Sequence, residues 1–460
     1  MGLIFENKLR ENERNIRKEI QMKQVILINP QPVVLKDLFA ERIMFTNPAL
    51  GLGYLASAIR DKGFSVDIID MGPQKLLLKD ILKQVEDNQT KVIGISSFIT
   101  NHGNGIKIAK YIKDRCPNVK IVMGGPQASF IPEEVLSSGC IDVVSMFEGE
   151  ITFPELVDAF INEKPIDNIL GISYIKDGKI FTTSARPVVE NLDELSYPAW
   201  DLFKLDKYSM PGIILTGRGC PYKCIFCAAS AVSGARYRIR STKNVVDEIE
   251  YLNKEYNISY FFFADDTFTA DEEHCIDICR EIRKRGLEIK WEAEARADTV
   301  NDHVASEMVK AGCKHVLIGA ESGDNNILKT IGKNITTDTI EKAVKTFLAH
   351  GITVICSFIL GNPEDTKETI DKTIEFTIKI KKFTHGFSNC KFSLLTPLPG
   401  TPVYINREKL GIKLISTNWD KYTFMDPIAQ TKHLSIKELQ NINFNAWSRY
   451  VTGEVKNAQK

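Results

Sequence analysis

Short apolar segments alternate with stretches of helical period along most of this chain of 460 residues. The first five of these segments follow one another from about residue 24 onwards, and they read VILINP, FSVDIIDM, VIGISS, KIVMGG and VVSMFE. Because a helical stretch follows each one, they predict a parallel sheet whose two faces are covered by helices. We therefore expect an α/β fold that begins with a Rossmann-like, doubly wound parallel sheet.

Six further strands are predicted between residues 211 and 396, again with helical segments between them. They are IILT, YFFFA, IKWEAEA, HVLIGA, VICSFIL and KFSLLT. This number of strand–helix units predicts a partial (β/α)6 barrel of the TIM type. Barrels of this kind carry their chemistry in the loops that follow the carboxyl ends of the strands.

The chain is long enough for two or three domains of roughly 100 to 200 residues each. The segment ISYIKDGKIFTT predicts a hairpin that turns at Asp177 and Gly178. The expected organisation is a helical extension (1–23), the sheet domain (24–165), a connector that contains the hairpin (166–210), the barrel core (211–396) and a small α-rich C-terminal extension on the substrate side (397–460).

Acidic and basic residues balance at 59 each, so no net charge attracts nucleic acid, and we expect no such partner. Ten cysteines without a repeating framework, and no secretory signal, predict reduced thiols in the cytoplasm. We expect no transmembrane segment, because no uncharged apolar run reaches the ~20 residues that span a bilayer.

Cys220, Cys224 and Cys227 lie in the run GCPYKCIFC, and no fourth cysteine or histidine is near them. A structural zinc site needs four protein ligands, usually on paired arms, so this spacing argues against zinc. An iron–sulfur cubane held through three of its irons fits better, because its fourth iron is left open for a small molecule. Buried structural thiols and half of a zinc ribbon remain the alternatives. Packing is the role expected for five other cysteines: Cys275, Cys279, Cys313, Cys356 and Cys390.

The run CPYKCIFC, with Phe226 before the last cysteine, resembles the signature of the radical S-adenosylmethionine (SAM) enzymes. The resemblance implies a [4Fe-4S] cluster whose open iron chelates the methionine part of SAM, and reductive cleavage of SAM to a 5'-deoxyadenosyl radical. It also implies an electron donor such as flavodoxin or ferredoxin.

The same resemblance implies SAM contacts at successive strand ends. FILGNPE is similar to the family's adenine motif, although Ser357 replaces the first glycine of that motif. The implied residues are Phe226; Ala264, Asp265 and Asp266 for the amino group; Arg296 for the carboxylate; Glu321 and Ser322 for the ribose; and Ile359, Gly361 and Glu364 for the adenine.

Four segments of the N-terminal half, NPALGLGYLASAIRDKGF, GISSFITN, MGGPQAS and FEGEITFPEL, resemble the cobalamin-binding domain of cobalamin-dependent radical SAM enzymes. Ligands of such sheets bind beyond the carboxyl ends of the strands. The cobalamin contacts implied there are Pro48, Leu50, Gly51, Ser96, Ser97, Thr100, Gly124, Gly125, Pro126, Gly149 and Glu150.

One departure from the classical cobalamin motif concerns the lower axial ligand of cobalt. The loop from Pro30 to Asn47 contains no histidine, and His102, which follows the third strand, is expected to be a surface or loop residue. We therefore expect cobalamin to bind without a protein imidazole on cobalt.

The resemblance implies a methyltransferase that uses methylcobalamin to methylate an unactivated carbon of a small molecule, lipid or peptide. A cyclase, ring-rearranging or oxidative enzyme with the same cofactors is the first alternative. A non-catalytic cobalamin or redox sensor is the second, and the SAM contacts at successive strand ends argue against it.

The expectation about cobalt can be tested by continuous-wave EPR of the cob(II)alamin form. An axial nitrogen splits each cobalt line into three, and we predict that no histidine of the protein causes such a splitting. A nitrogen triplet that disappears in His102→Ala would contradict the prediction.

Overall fold

The computed structural model describes residues 23–33, 46–384 and 390–454. These residues form two compact units. The first unit contains residues 23–33, 48–188 and 195–207, and the second contains 46–47, 189–194, 208–384 and 390–454.

The first unit is built on a seven-stranded sheet, with strands β1 (Val25–Asn29), β2 (Val66–Asp70), β3 (Val92–Ser96), β4 (Lys120–Gly124), β5 (Val143–Ser145), β6 (Ile172–Lys176) and β7 (Lys179–Thr182). Their order in the sheet is β2-β1-β3-β4-β5-β6-β7. β1 to β5 pair in parallel, which confirms the predicted parallel sheet. The strand order changes direction between β1 and β3, and this is the switch point at which such sheets bind ligands.

The predicted hairpin extends this sheet, because β6 pairs antiparallel with β5 and β7 pairs antiparallel with β6. Asp177 and Gly178 form its turn with φ of 51° and 73°, the backbone signs of a type I′ turn. The expected connector (166–210) contains this hairpin, whereas in the structure the hairpin joins the sheet of the first unit. The turn signal specifies how two strands pair with each other, but it does not specify which sheet edge they join.

Helices cover the central strands of the first unit, and the apolar side chains of β1 from Val25 to Ile28 are at most 1% exposed. The helices are Leu50–Asp61, Met71–Gln74, Leu78–Asp87, His102–Lys113, Pro126–Phe130, Pro132–Ser137 and Thr152–Ile161, with 3-10 turns at Trp200–Leu202 and Leu205–Lys207.

The second unit contains a six-stranded parallel sheet in which the strands follow chain order. These strands are β8 (Gly212–Ile214), β11 (Tyr260–Phe263), β12 (Lys290–Ala295), β13 (Cys313–Glu321), β14 (Thr353–Leu360) and β15 (Cys390–Leu394). Two ribbons accompany them, β9 (Gly217–Arg218) with β10 (Arg238–Ile239), and β16 (Lys413–Leu414) with β17 (Ala429–Gln430). All six predicted strands are present, and the sheet is the expected partial barrel.

Nine helices of the described residues belong to the second unit. They are Ala228–Ser233, Thr242–Tyr256, Glu272–Lys284, Asp302–Lys310, Asn325–Thr330, Thr337–Ala349, Lys367–Thr384, Pro402–Ile405 and Ile436–Thr452, with 3-10 turns at Leu192–Glu194, Phe268–Ala270, Ala297–Thr299 and Trp419–Lys421.

β12 shows how the sheet of the second unit divides into two faces. Trp291 is fully buried, its ring stacks on Phe263 with centroids 4.6 Å apart, and its Nε1 donates to the carbonyl of Ala311. Glu292 and Glu294 alternate with the buried residues and are only partly buried. The strand therefore has one apolar face and one polar face.

The five cysteines expected to pack are all buried, at 0% exposure for four of them and 2% for Cys390. Their predicted role is confirmed. No helix of the described residues is long and apolar enough to cross a membrane.

Candidate functional site

The three motif cysteines lie in the loop between β9 and the helix Ala228–Ser233. The loop begins at Gly219, which has φ of 89°, and a Cβ there would stand 2.3 Å from the carbonyl oxygen of Arg236. Only glycine fits that position. The loop ends in a tight turn in which the amide of Cys227 donates to the carbonyl of Cys224 at 3.2 Å.

A short backbone segment, Ile331–Lys333, holds the cysteine loop from a second side, and we call it the strap. The amide of Ile225 donates to the carbonyl of Ile331 at 3.0 Å, and the thiol of Cys224 lies 3.9 Å from the carbonyl oxygen of Gly332. A Cβ on Gly332, which has φ of 73°, would stand 2.9 Å from the carbonyl oxygen of Lys223. The strap can therefore approach the loop because its central residue is glycine.

Arg296, the first residue after β12, contacts the cysteine loop and is 4% exposed. Its guanidinium lies over the ring of Tyr222 at 3.9 Å, and its Nη1 is 3.8 Å from Sγ of Cys224. Nε donates to Asp298 at 2.7 Å, and Nη2 donates to the carbonyl of Lys333. Its expected pairing with the SAM carboxylate stays a prediction, and the guanidinium already has protein partners on three sides.

Burial dominates the thiol chemistry of the loop. It raises the pKa of Cys224, an effect that the cations Lys333 and Arg296 oppose, and it raises the pKa of Cys227 to about 11. The described residues contain no group of three or more His, Cys, Asp and Glu side chains that could hold a single metal ion. A cubane makes a different demand, because each thiol loses its proton and binds an iron of its own as a thiolate.

The loop after β11 reaches the cysteine loop through Thr267, whose Oγ1 is 3.7 Å from Sγ of Cys220. Asp265 of the predicted SAM motif is 2% exposed and accepts hydrogen bonds from the amide and hydroxyl of Thr216, at 3.0 and 2.9 Å. Its burial raises the pKa of this carboxyl to about 6. Asp265 thus ties the end of β11 to the segment after β8, while Asp266 is exposed and Ala264 donates its amide to Ile214.

The end of β13 carries backbone strain, because Glu321 adopts φ of 65°. Its carboxylate is 3.1 Å from Nζ of Lys333, and this buried pair lies over Gly319, where a Cβ would stand 2.4 Å from Oε1 of Glu321. Ser322 is 1% exposed, and its hydroxyl lies 3.2 Å from that of Thr373. Of the two predicted ribose contacts, Ser322 therefore has a partner on the helix Lys367–Thr384.

The segment after β14 contains an unsatisfied polar atom at a residue that the sequence analysis did not single out. Asn362 is fully buried, its Nδ2 donates to Ile359 and Asp365, and its Oδ1 has no hydrogen-bond partner. Gly361 adopts φ of 81°, and Glu364 forms a half-exposed ion pair with Lys432 at 2.7 Å. A buried acceptor without a donor is costly, so a ligand that donates a hydrogen bond fits here.

In the first unit, the ends of β3 and β4 are joined at one edge of the sheet. The amide of Ser97 donates to the carbonyl of Gly124 at 2.8 Å, and the amide of Gln127 donates to the carbonyl of Ser97 at 3.0 Å. Gly125 has φ of 99°, and a Cβ there would stand 2.8 Å from the carbonyl oxygen of Ser97. The segments predicted to contact cobalamin thus meet where their strands end.

His102 is 4% exposed and begins the helix His102–Lys113, so the expectation of a surface or loop residue is wrong. Its Nδ1 is 2.9 Å from the hydroxyl of Ser97, which is itself fully buried. The amide of Phe98 donates to Oδ1 of Asn101 at 2.8 Å, which closes the turn before the helix. A lone histidine after a strand carries no signal for this pairing, because the turn that creates it depends on tertiary contacts.

Two buried polar atoms at the same edge lack hydrogen-bond partners, Nε2 of Gln127 and Oγ of Ser145. Gly124 is the partner of Ser145 in the pairing of β4 with β5, and a Cβ on it would stand 3.2 Å from the carbonyl oxygen of Ser145. A ligand rich in amide groups, such as cobalamin, could pair with both atoms. Neither residue was among the sequence-based candidates, although Gln127 lies in the quoted segment MGGPQAS.

The other predicted cobalamin residues occupy varied positions. Ser96 ends β3 and is partly buried, and a Cβ on Gly149 would stand 2.9 Å from the side chain of Leu55. The remaining ones are Pro48 and Leu50, which are buried, Gly51, which is exposed, and Thr100, Pro126 and Glu150, which are partly buried.

Comparison with known families places both halves of the chain. Residues 38–157 match the B12 binding domain, and residues 214–377 match the radical SAM superfamily. The solved structure of OxsB, described as a cobalamin-dependent S-adenosylmethionine radical enzyme, is similar with a TM-score of 0.75 at 22% identity, over 93% of this chain and 66% of that chain. At this identity the likeness shows the fold.

Relatives along nearly the whole length agree with these matches. The chain is 36% identical over 426 residues to a protein of Pyrococcus horikoshii named uncharacterized methyltransferase PH0819, which covers 92% of this chain and 90% of the relative. It is 27% identical to the anaerobic magnesium-protoporphyrin IX monomethyl ester cyclase of Rubrivivax gelatinosus, over 88% of this chain and 73% of the relative. The expected fold class is confirmed. The two family matches confirm the expected set of cofactors, a 4Fe-4S cluster, SAM and cobalamin. The chain belongs to the cobalamin-binding branch of the radical SAM superfamily.

Proposed function

We propose that this protein is a cobalamin-dependent radical SAM C-methyltransferase that acts on an unactivated carbon. The observation that carries the proposal is the presence of both cofactor domains in a chain that matches a named methyltransferase almost end to end. When bound, the cluster and SAM supply a radical that removes a substrate hydrogen, and cobalamin supplies the methyl group.

Cys220, Cys224 and Cys227 are the proposed ligands of the cluster. Two features support this assignment, the tight loop that begins at Gly219 and the strap whose carbonyls approach Cys224 and Ile225. A loop held from two sides has little freedom left to lose, which lowers the entropy cost of ordering it when iron binds.

The proposed SAM site follows the ends of β11, β12, β13 and β14, next to the cysteine loop. The contact of Thr267 with Cys220 and the unsatisfied Oδ1 of Asn362 support this placement, and Asn362 extends the predicted set. The proposed contacts taken from the sequence are Phe226, Ala264, Asp265, Asp266, Arg296, Glu321, Ser322, Ile359, Gly361 and Glu364. Of these, Asp265 and Ser322 act through the backbone, since their side chains bond to Thr216 and Thr373.

The proposed cobalamin site lies along the edge formed by the ends of β3, β4 and β5. Gln127 and Ser145 extend the predicted contacts there because their polar atoms lack partners. The bond of His102 to Ser97 supports binding without a protein imidazole on cobalt. Residues 34–45 of the loop that follows β1 lie outside the described residues, and the sequence of that loop holds no histidine.

A ring-forming reaction is the second candidate, because the chain is also similar to the magnesium-protoporphyrin cyclase. The chain is less identical to that cyclase (27%) than to the methyltransferase (36%). A cytoplasmic location and an electron donor such as flavodoxin or ferredoxin belong to the proposal. The cytoplasmic location is supported by the free cysteines of the described residues. The electron donor is supported by the electron that SAM cleavage requires.

The cluster assignment is tested by changing Cys220, Cys224 and Cys227 together to Ala. Anaerobic reconstitution should give about four irons per chain for the unchanged protein and almost none for the variant, because its ligands are gone. Cys275→Ser with Cys279→Ser is the matched control and should retain its iron. Iron retained by the triple variant, or lost from the control, would contradict the assignment.

The reaction is tested by incubating the reduced protein with SAM and a candidate substrate under anaerobic conditions. Methyl transfer through cobalamin should yield both 5'-deoxyadenosine and S-adenosylhomocysteine, one from each molecule of SAM. Production of 5'-deoxyadenosine alone would support the ring-forming candidate. Absence of both from cluster-loaded protein would contradict an enzymatic role.

A further inference from the structure

The guanidinium of Arg296 is the centre of a closed set of contacts around the cysteine loop. Its side chain is 5% exposed, and its nitrogens face Asp298, the carbonyl of Lys333 and the sulfur of Cys224. A bidentate pair with a carboxylate uses two parallel N–H groups on an open edge of the guanidinium. Little of such an edge is open here. The contacts therefore indicate that Arg296 acts on the cysteine loop itself.

Tyr222 connects Arg296 to the backbone of the motif, because it lies between Cys220 and Cys224 in the chain. The guanidinium lies 3.9 Å from the centre of its ring, within the range of a cation–π interaction. Arg296 therefore contacts two residues of the loop, the ring of Tyr222 and the sulfur of Cys224. These contacts limit how far the loop can move relative to β12.

The charge of Arg296 bears directly on a cluster at this position. Net charge and hydrogen bonds to the sulfurs set the reduction potential of an iron–sulfur cluster, and both act strongly where water is excluded. Two other charges act on the reduction potential: Asp298 opposes the effect of Arg296, and Lys333 acts in the same direction as Arg296. Asp298 pairs with Arg296 but keeps 35% of its side chain exposed, and the charge of Lys333 is paired with Glu321 at 3.1 Å.

We propose that Arg296 is a positioning residue that fixes Cys224 and Tyr222 and makes the cluster easier to reduce by placing a positive charge beside a cluster sulfur. This inference deepens the proposed function and rests on its assignment of the cysteines. Under this inference Arg296 affects the cluster even when SAM is absent. A residue that only binds the SAM carboxylate would have no such effect.

The experiment is a redox titration of the reconstituted full chain, followed by EPR, with no SAM present. Arg296→Gln should shift the midpoint potential of the cluster to more negative values. Arg296→Lys keeps the charge, so its potential should stay close to that of the unchanged protein. Asp298→Asn removes the opposing charge and should shift the potential in the positive direction. Arg283→Gln is the matched control, because it removes the same charge from an ion pair with Glu307 that joins two helices away from the cysteine loop, and it should leave the potential unchanged.

The outcomes separate this inference from the proposed function. An unchanged protein that holds no cluster would refute the proposed function. A cluster-loaded Arg296→Gln variant with an unchanged potential and weaker SAM binding would overturn the inference in favour of the carboxylate pair. If Arg296→Gln fails to hold iron, Asp298→Asn decides, and an unchanged potential in that variant overturns the inference.

Discussion

Parallel pairing of strands brings the carboxyl ends of neighbouring strands to the same edge of a sheet, and both candidate sites depend on this constraint. In the second unit it brings Thr267 and Arg296 from different strands to the cysteine loop. In the first unit it joins Ser97 to Gly124. Residues far apart in the chain therefore become neighbours without any further device, and the loops are free to vary in chemistry.

Glycines then decide how closely these loops can approach one another. Gly219, Gly332 and Gly125 all have positive φ, and a Cβ on any of them would stand less than 3.0 Å from a backbone oxygen. Ordering these glycines costs conformational entropy, which the hydrogen bonds and packing of the loops on either side offset. The cysteine loop is thus shaped by the close fit of its backbone against neighbouring segments.

Much of this could be read from the sequence, because strand–helix alternation and the spacing of Cys220, Cys224 and Cys227 are local patterns. The partners of individual side chains could not. Arg296 was correctly placed at a strand end, yet its contacts with Tyr222 and Cys224 arise from loops that are distant in the chain. The burial of His102 and the unsatisfied atoms of Gln127 and Asn362 likewise depend on tertiary packing, which no single-residue pattern encodes.

In the proposed site, three cysteines hold a cluster and leave one iron open for SAM. Mössbauer spectroscopy of protein reconstituted with ⁵⁷Fe, before and after addition of SAM, tests it most directly. We expect one of the roughly four irons to change its isomer shift when SAM binds, because only the open iron gains new ligands. A spectrum that stays the same while SAM is shown to be bound would contradict it.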